Sequence, residues 1–165
     1  MYVRFATLTL VLTVIVIIWG GVVRATGSGA GCGSHWPLCN GEVVPLEPGI
    51  KTVIEFTHRL TSGAVMLLSL GLVIASRRVF PRGHRARTWA VAAFVFMLIE
   101  AAIGAGLVLL GLVENNASLA RAVYIAAHLT NTMLLTAAIT GAIWWARQPD
   151  VAVHVERSRP LAAAL

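Results

Sequence analysis

The stretch AVYIAAHLTNTMLLTAAITGAIWWA, residues 122–146, carries no charged side chain. About 20 apolar residues cross the hydrocarbon core of a bilayer as a helix, so this run is long enough to span one. The same reading repeats upstream. From Thr88 to Val113 the only charge is Glu100; seventeen uncharged residues separate Arg59 from Arg77, and nineteen separate Arg4 from Arg24. The run beyond Arg59 is the continuation of an apolar pattern that begins near Val53. Together the four runs predict an all-α integral membrane protein, a four-transmembrane-helix bundle with spans over about 5–23, 52–76, 88–112 and 121–146. A composition with 58% hydrophobic and 12% charged residues lies outside the range of soluble domains. The bundle takes residues 1–146 as one domain and includes an outer loop, 24–51, rich in Gly and Pro. The remaining tail, 147–165, is expected to be disordered.

The arginines set the expected orientation. Arg77, Arg78, Arg82, Arg85 and Arg87 crowd the connection between the second and third spans. Arg4 precedes the first span, and Arg147, Arg157 and Arg159 follow the fourth. The other side has Arg24, Lys51, Arg59 and Arg121. The positive-inside rule then places both termini in the cytoplasm and the loop 24–51 outside, in the inner membrane of a bacterial or archaeal cell. The net charge of +6 is read as a topology signal, with membrane lipid as the surroundings and no nucleic-acid partner. The first apolar run exceeds a signal-peptide core and no small-x-small cleavage site follows it, so an uncleaved helix is expected.

Two histidines fall inside these spans. His58 and His128 each lie roughly 9–10 Å from the outer end of their helix, at 1.5 Å per residue. A histidine in lipid needs a partner, a cavity or a cofactor. Two at one depth on different helices point to a heme held between two imidazoles; the plainer alternative is that each hydrogen-bonds across helices as polar glue. Glu55 shares a helix face with His58. It can orient the imidazole, move protons or stabilise positive charge, or simply pair with Arg59, Lys51 or Arg24. Arg24 and Arg59 are candidates for the propionates of a heme, since guanidinium binds carboxylates bidentately; a helix-end anchor is the alternative for Arg24. Cys32 and Cys39 lie in a loop that would face an oxidising space, which favours a disulfide. A structural staple is the first reading of that pair and a redox role the second. Glu100, in mid-span, either carries protons or hydrogen-bonds between helices. The glycines at 20, 21, 104, 106 and 111 allow close helix approach. His35 and His84 are expected to be solvated.

The strings GGVVRATGSGAGCGSHWPLCNG (20–41), IEFTHRLTSG (54–63) and AAHLTNT (126–132) together resemble the heme A synthase family of cytochrome oxidase assembly proteins, in its amino-terminal four-helix half. The resemblance implies a membrane oxidoreductase that converts the methyl group of heme O to the formyl group of heme A for terminal oxidases. It also implies His58 and His128 as axial ligands of the heme iron, Glu55 as the acidic residue near the substrate methyl, and a Cys32–Cys39 disulfide. Heme b as cofactor, heme O as substrate, or both, follow from it; heme O synthase and a terminal oxidase are the implied partners. The chain departs from the family pattern of eight spans in two halves, since it contains one half and one histidine pair. Either a homo-oligomer of half-length chains replaces the second half, or the chain is a truncated product, or a four-helix heme protein has kept the fold without the reaction. The alternative function is accordingly a non-enzymatic heme-binding or electron-transfer protein assisting oxidase assembly. A thiol–quinone oxidoreductase is disfavoured, because it needs catalytic thiol pairs and no histidines within the spans.

Overall fold

The computed structural model describes residues 1–114 and 116–148. It contains four helices, α1 (Tyr2–Ala25), α2 (Ile50–Val79), α3 (Arg85–Leu109) and α4 (Leu119–Ala146). Each is long and apolar enough to cross a membrane. Among the described residues the only β-pairing is an isolated bridge between Cys39 and Glu42. The fold is therefore the expected all-α bundle of a multi-pass membrane protein. The tail expected to be disordered falls, from residue 149 onward, outside the described residues.

The helices form a ring. α1 packs on α2, α2 on α3, α3 on α4 and α4 back on α1, while the backbones of neither diagonal pair come close. Outward faces are apolar, with Leu8, Ile15, Leu67, Val95 and Met133 exposed, as suits a surface solvated by lipid tails. Small residues bring α3 and α4 together: a Cβ at Gly106 would lie 2.7 Å from Tyr124, and one at Gly141 would lie 2.6 Å from Trp89.

The helix ends differ from those read off the apolar runs, and local chemistry accounts for it. α1 and α3 both close on a glycine with positive φ, Gly27 at 60° and Gly111 at 62°. In each, the following residue donates its N–H to the carbonyl five positions back, Ser28 to Val23 and Leu112 to Leu107. The glycine itself donates to the carbonyl three back, which completes a Schellman motif. Gly111 is thus a helix terminator, and α3 stops at Leu109 although the apolar run continues to residue 113. At the other end of α3 the expectation of a solvated His84 is corrected. Its side chain is buried, stacks on Phe80, and accepts the N–H of Ala86, satisfying an orphan donor of the first turn.

The buried apolar core occupies one half of the bundle. It is built from Tyr2 and Ala6 of α1, Val65, Leu72 and Val73 of α2, Ala90, Ala93 and Met97 of α3, and Leu135 to Ile143 of α4. All of these lie away from the 26–49 loop. Towards the loop end the cluster stops at Val65 and Leu135, and His58 and His128 each stand seven residues, about 10 Å, beyond those two.

Candidate functional site

His58 is the ninth residue of α2 and His128 the tenth of α4. Because α2 and α4 are diagonal in the ring, the two imidazoles come from opposite corners at one level, above the apolar core. The Nδ1 atom of each is buried and makes no hydrogen bond. Among the described residues neither Nε2 has a protein partner either. Polar groups so placed in a membrane interior are costly unless something else engages them.

Each histidine faces a glycine on the helix before it. A Cβ at Gly20 of α1 would lie 3.1 Å from His58 Cε1, and one at Gly104 of α3 would lie 3.9 Å from His128 Cε1. Next to Gly20, the Trp19 indole N–H donates to the carbonyl of Ile54, 3.2 Å away, and ties α1 to α2 one turn before His58. Each imidazole thus has a residue without a side chain beside it, on helices whose backbones do not approach closely across the ring. Two neutral imidazoles in this arrangement can ligate one metal centre from opposite sides. No group of three or more His, Cys, Asp or Glu side chains converges among the described residues, so a bare ion held only by protein is not what this pair is built for. A macrocycle that supplies its own equatorial nitrogens fits the donor set.

Over the site lies the loop between α1 and α2. Cys32 and Cys39 are both buried, with Sγ atoms 2.01 Å apart. Three residues on one face of α2 latch the loop down. Thr52 donates its hydroxyl proton to the carbonyl of Gly31 (2.8 Å). Glu55, only 4% exposed, accepts the N–H of Cys32 at 2.7 Å and pairs with Arg59 through its other oxygen. Arg59 also donates to the carbonyls of His35 and Leu38, both at 2.7 Å. The structure therefore joins Glu55 to Arg59 and the cysteine loop, and leaves His58 Nδ1 unpaired. Lys51 pairs with Glu114, which fastens the α3–α4 connection to the start of α2 beside the cysteine loop. Arg24, in the last turn of α1, is exposed, and His35 is exposed in the loop.

The residue that sequence reasoning left undecided is Glu100. Its carboxylate faces α4, where Asn131 and Thr132 donate to it and His128 Nδ1 lies 3.1 Å from Oε1, within ion-pair reach though not aligned as a hydrogen bond. The i, i+3, i+4 spacing of His128, Asn131 and Thr132 was the available signal, since it puts all three on one helix face.

A family model for cytochrome oxidase assembly proteins matches residues 3–165. The chain belongs to the cytochrome oxidase assembly protein family. Two heme A synthases resemble this family member: that of Exiguobacterium sibiricum is 42% identical over 104 residues, and that of Bacillus cereus 42% identical over 106. These matches cover 63% and 64% of this chain and 34% of each synthase. A protoheme IX farnesyltransferase of Thermus thermophilus is 52% identical over 137 residues, 83% of this chain but 22% of the Thermus protein. The assembly-family chain thus spans about a third or less of the curated relatives it matches. No solved structure matches it.

Proposed function

We propose that the protein is a membrane oxidoreductase of the heme A synthase type, which oxidises the methyl group of heme O to the formyl group of heme A for terminal oxidase assembly. The observation that carries this reading is the His58–His128 pair, set on diagonal helices above the apolar core with each imidazole facing a glycine. In this proposal His58 and His128 are the axial ligands of one heme iron. Arg24 and Arg59 are the propionate partners; Arg59, already bonded to two carbonyls and Glu55, keeps Nε–H and one Nη–H for a carboxylate. Glu55 is the acidic residue beside the substrate, its position set by Arg59 and the Cys32 N–H. Cys32 and Cys39 form a disulfide that holds the loop over the site.

Conversion of a methyl to a formyl group removes four electrons and adds one oxygen atom, so the route needs electron transfer as well as substrate binding. With water as the oxygen source four protons leave as well, and a bound heme b would pass the electrons one at a time to an external acceptor. One histidine pair per chain is one heme site, and we propose that a second copy of the chain contributes the other. Heme O must come from a reaction that farnesylates protoheme. The Thermus relative supports a partner of that kind, because its matched segment sits within a chain named for that transfer.

Orientation follows the arginines. Arg4, Arg77, Arg78, Arg82, Arg85, Arg87 and Arg147 gather at the end of the bundle opposite the cysteine loop, which supports cytoplasmic termini in an inner membrane. A reporter enzyme active only in the cytoplasm, fused after residue 165, would be inactive if this orientation were wrong.

The function is tested by co-expression with a heme O-producing enzyme, followed by heme extraction and chromatography. Heme A or its hydroxylated precursor is the expected product. Glu55→Gln should lose turnover while retaining the Soret band of bound heme. Recovery of heme O alone from a folded, heme-loaded wild-type protein would favour the non-enzymatic reading.

A further inference from the structure

We infer that Glu100 is the positioning residue for His128: held by Asn131 and Thr132, its carboxylate accepts the Nδ1 proton of His128 and thereby presents Nε2 to the heme iron. The inference rests on the bis-histidine reading above.

Glu100 lies inside α3 with its side chain 18% exposed. A carboxylate at that depth is expensive unless donors surround it. Three side chains of α4 converge on it. Asn131 donates through Nδ2 to Oε2 and also, at 2.9 Å, to the carbonyl of Phe96. The Thr132 hydroxyl lies within reach of Oε1 and, at 2.8 Å, of the His128 carbonyl, and its single proton is shared between these two acceptors. The third is His128, whose Nδ1 is buried and has no other acceptor. A small rotation of the ring aligns the 3.1 Å approach into a hydrogen bond, and ligation through Nε2 requires that the remaining ring proton sit on Nδ1. Metal-bound histidines are commonly held this way, with the second nitrogen donating to a carboxylate that fixes tautomer and ring orientation and raises ligand basicity.

Helix packing alone does not account for Glu100. α3 and α4 are already joined by the Asn131–Phe96 bond and by the close approaches at Gly106 and Gly141. The two axial sides are also unequal. Among the described residues His58 Nδ1 is buried without a hydrogen bond and, unlike His128 Nδ1, has no carboxylate within ion-pair reach, so the orienting carboxylate stands on the His128 side. His128 is therefore the stronger donor of the pair, and it favours the ferric state.

The test uses the full chain in detergent, reconstituted with heme b, and reads heme affinity, midpoint potential and the low-spin ferric spectrum. Glu100→Gln should still bind heme, with the ferric form disfavoured about tenfold relative to the ferrous form, a rise in potential of about 59 mV. Glu100→Asp keeps the charge but draws the carboxylate back, and should shift the potential in the same direction with a broadened low-spin signal. Thr132→Val, which keeps the charge and the shape, should give a smaller shift and serves if the Glu100 variants do not fold. Wild-type potential and spectrum in heme-loaded Glu100→Gln and Glu100→Asp, or in Thr132→Val should it alone fold, would overturn the inference. So would a shift in Glu100→Gln alone, which would reduce Glu100 to a nearby charge. Failure of the wild-type chain to bind heme, or an unchanged low-spin spectrum in His128→Ala, would instead overturn the bis-histidine reading beneath it.

Discussion

A methyl group added at Gly20 would lie 3.1 Å from His58 Cε1 and 3.4 Å from Nε2, closer than a side chain tolerates without movement of the ring. The neighbouring Gly21 has nothing within 4 Å, and Gly104 would meet His128 only at an ordinary 3.9 Å. These three positions make an internally controlled experiment. Each Gly→Ala change raises helix propensity, by roughly 1 kcal/mol, so none should destabilise its helix through backbone preference. Gly20→Ala should push the His58 imidazole aside by a few tenths of an ångström and weaken heme binding several-fold. Gly21→Ala and Gly104→Ala should leave it near wild type. Soret titration with heme b, paired with thermal melting of the apoprotein, separates lost ligation from lost fold. Equal affinities in all three variants would mean that Gly20 is there for helix packing.

Among the elements, the cysteine loop is held to α2 by four hydrogen bonds with Thr52, Glu55 and Arg59 as well as by the bonds within itself. Gly31 is where it presses closest: a Cβ there would stand 2.3 Å from the backbone oxygen of Lys51. Glu55 and Arg59 lie beneath it, with side chains 5% and 13% exposed. Removing one partner of such a buried pair leaves an uncompensated charge and costs about 3–5 kcal/mol. Arg59→Met should therefore lower stability by about that much and expose the loop to protease, whereas Glu55→Gln with Arg59→Met should recover part of the loss. Denaturation of the four proteins of the cycle measures the coupling. Little of this latch was legible in the sequence. The spans were, because charge-free runs of that length have no other stable home. The shared helix face of Glu55 and His58 was legible too, but the sequence does not say which way a carboxylate turns, and Glu55 turns to the loop. The end of α3 was missed because the apolar run outlasts the helix; conformational freedom at Gly111, not hydropathy, decides where the backbone leaves it. His84 was missed because a capping contact depends on the turn from Pro81 to His84, which has no hydropathic signature.

In the whole molecule the recurring unit is a pair of helices. α1 and α3 each carry a glycine facing a histidine, and seven residues later a glycine that ends the helix. α2 and α4 each supply the histidine about two turns from the loop end. Under the proposed function two such hairpins would hold one heme, so a reaction that needs a substrate heme and a redox heme would take two chains. In a dimer of identical chains both copies can bind heme, and one at a time can act on substrate while the other relays electrons. This division has a measurable consequence when wild-type and variant chains are co-expressed and mix at random. A His58→Ala chain cannot serve either role, so every mixed dimer is inactive and activity falls as the square of the wild-type fraction. A Glu55→Gln chain can still hold the redox heme, so a mixed dimer keeps one working arrangement and activity falls in direct proportion. Heme A yield per folded chain, measured across a series of mixing ratios, distinguishes the two curves. Proportional loss with both variants would mean that each chain acts alone with its one site, and the second heme would then have to be supplied by a different protein.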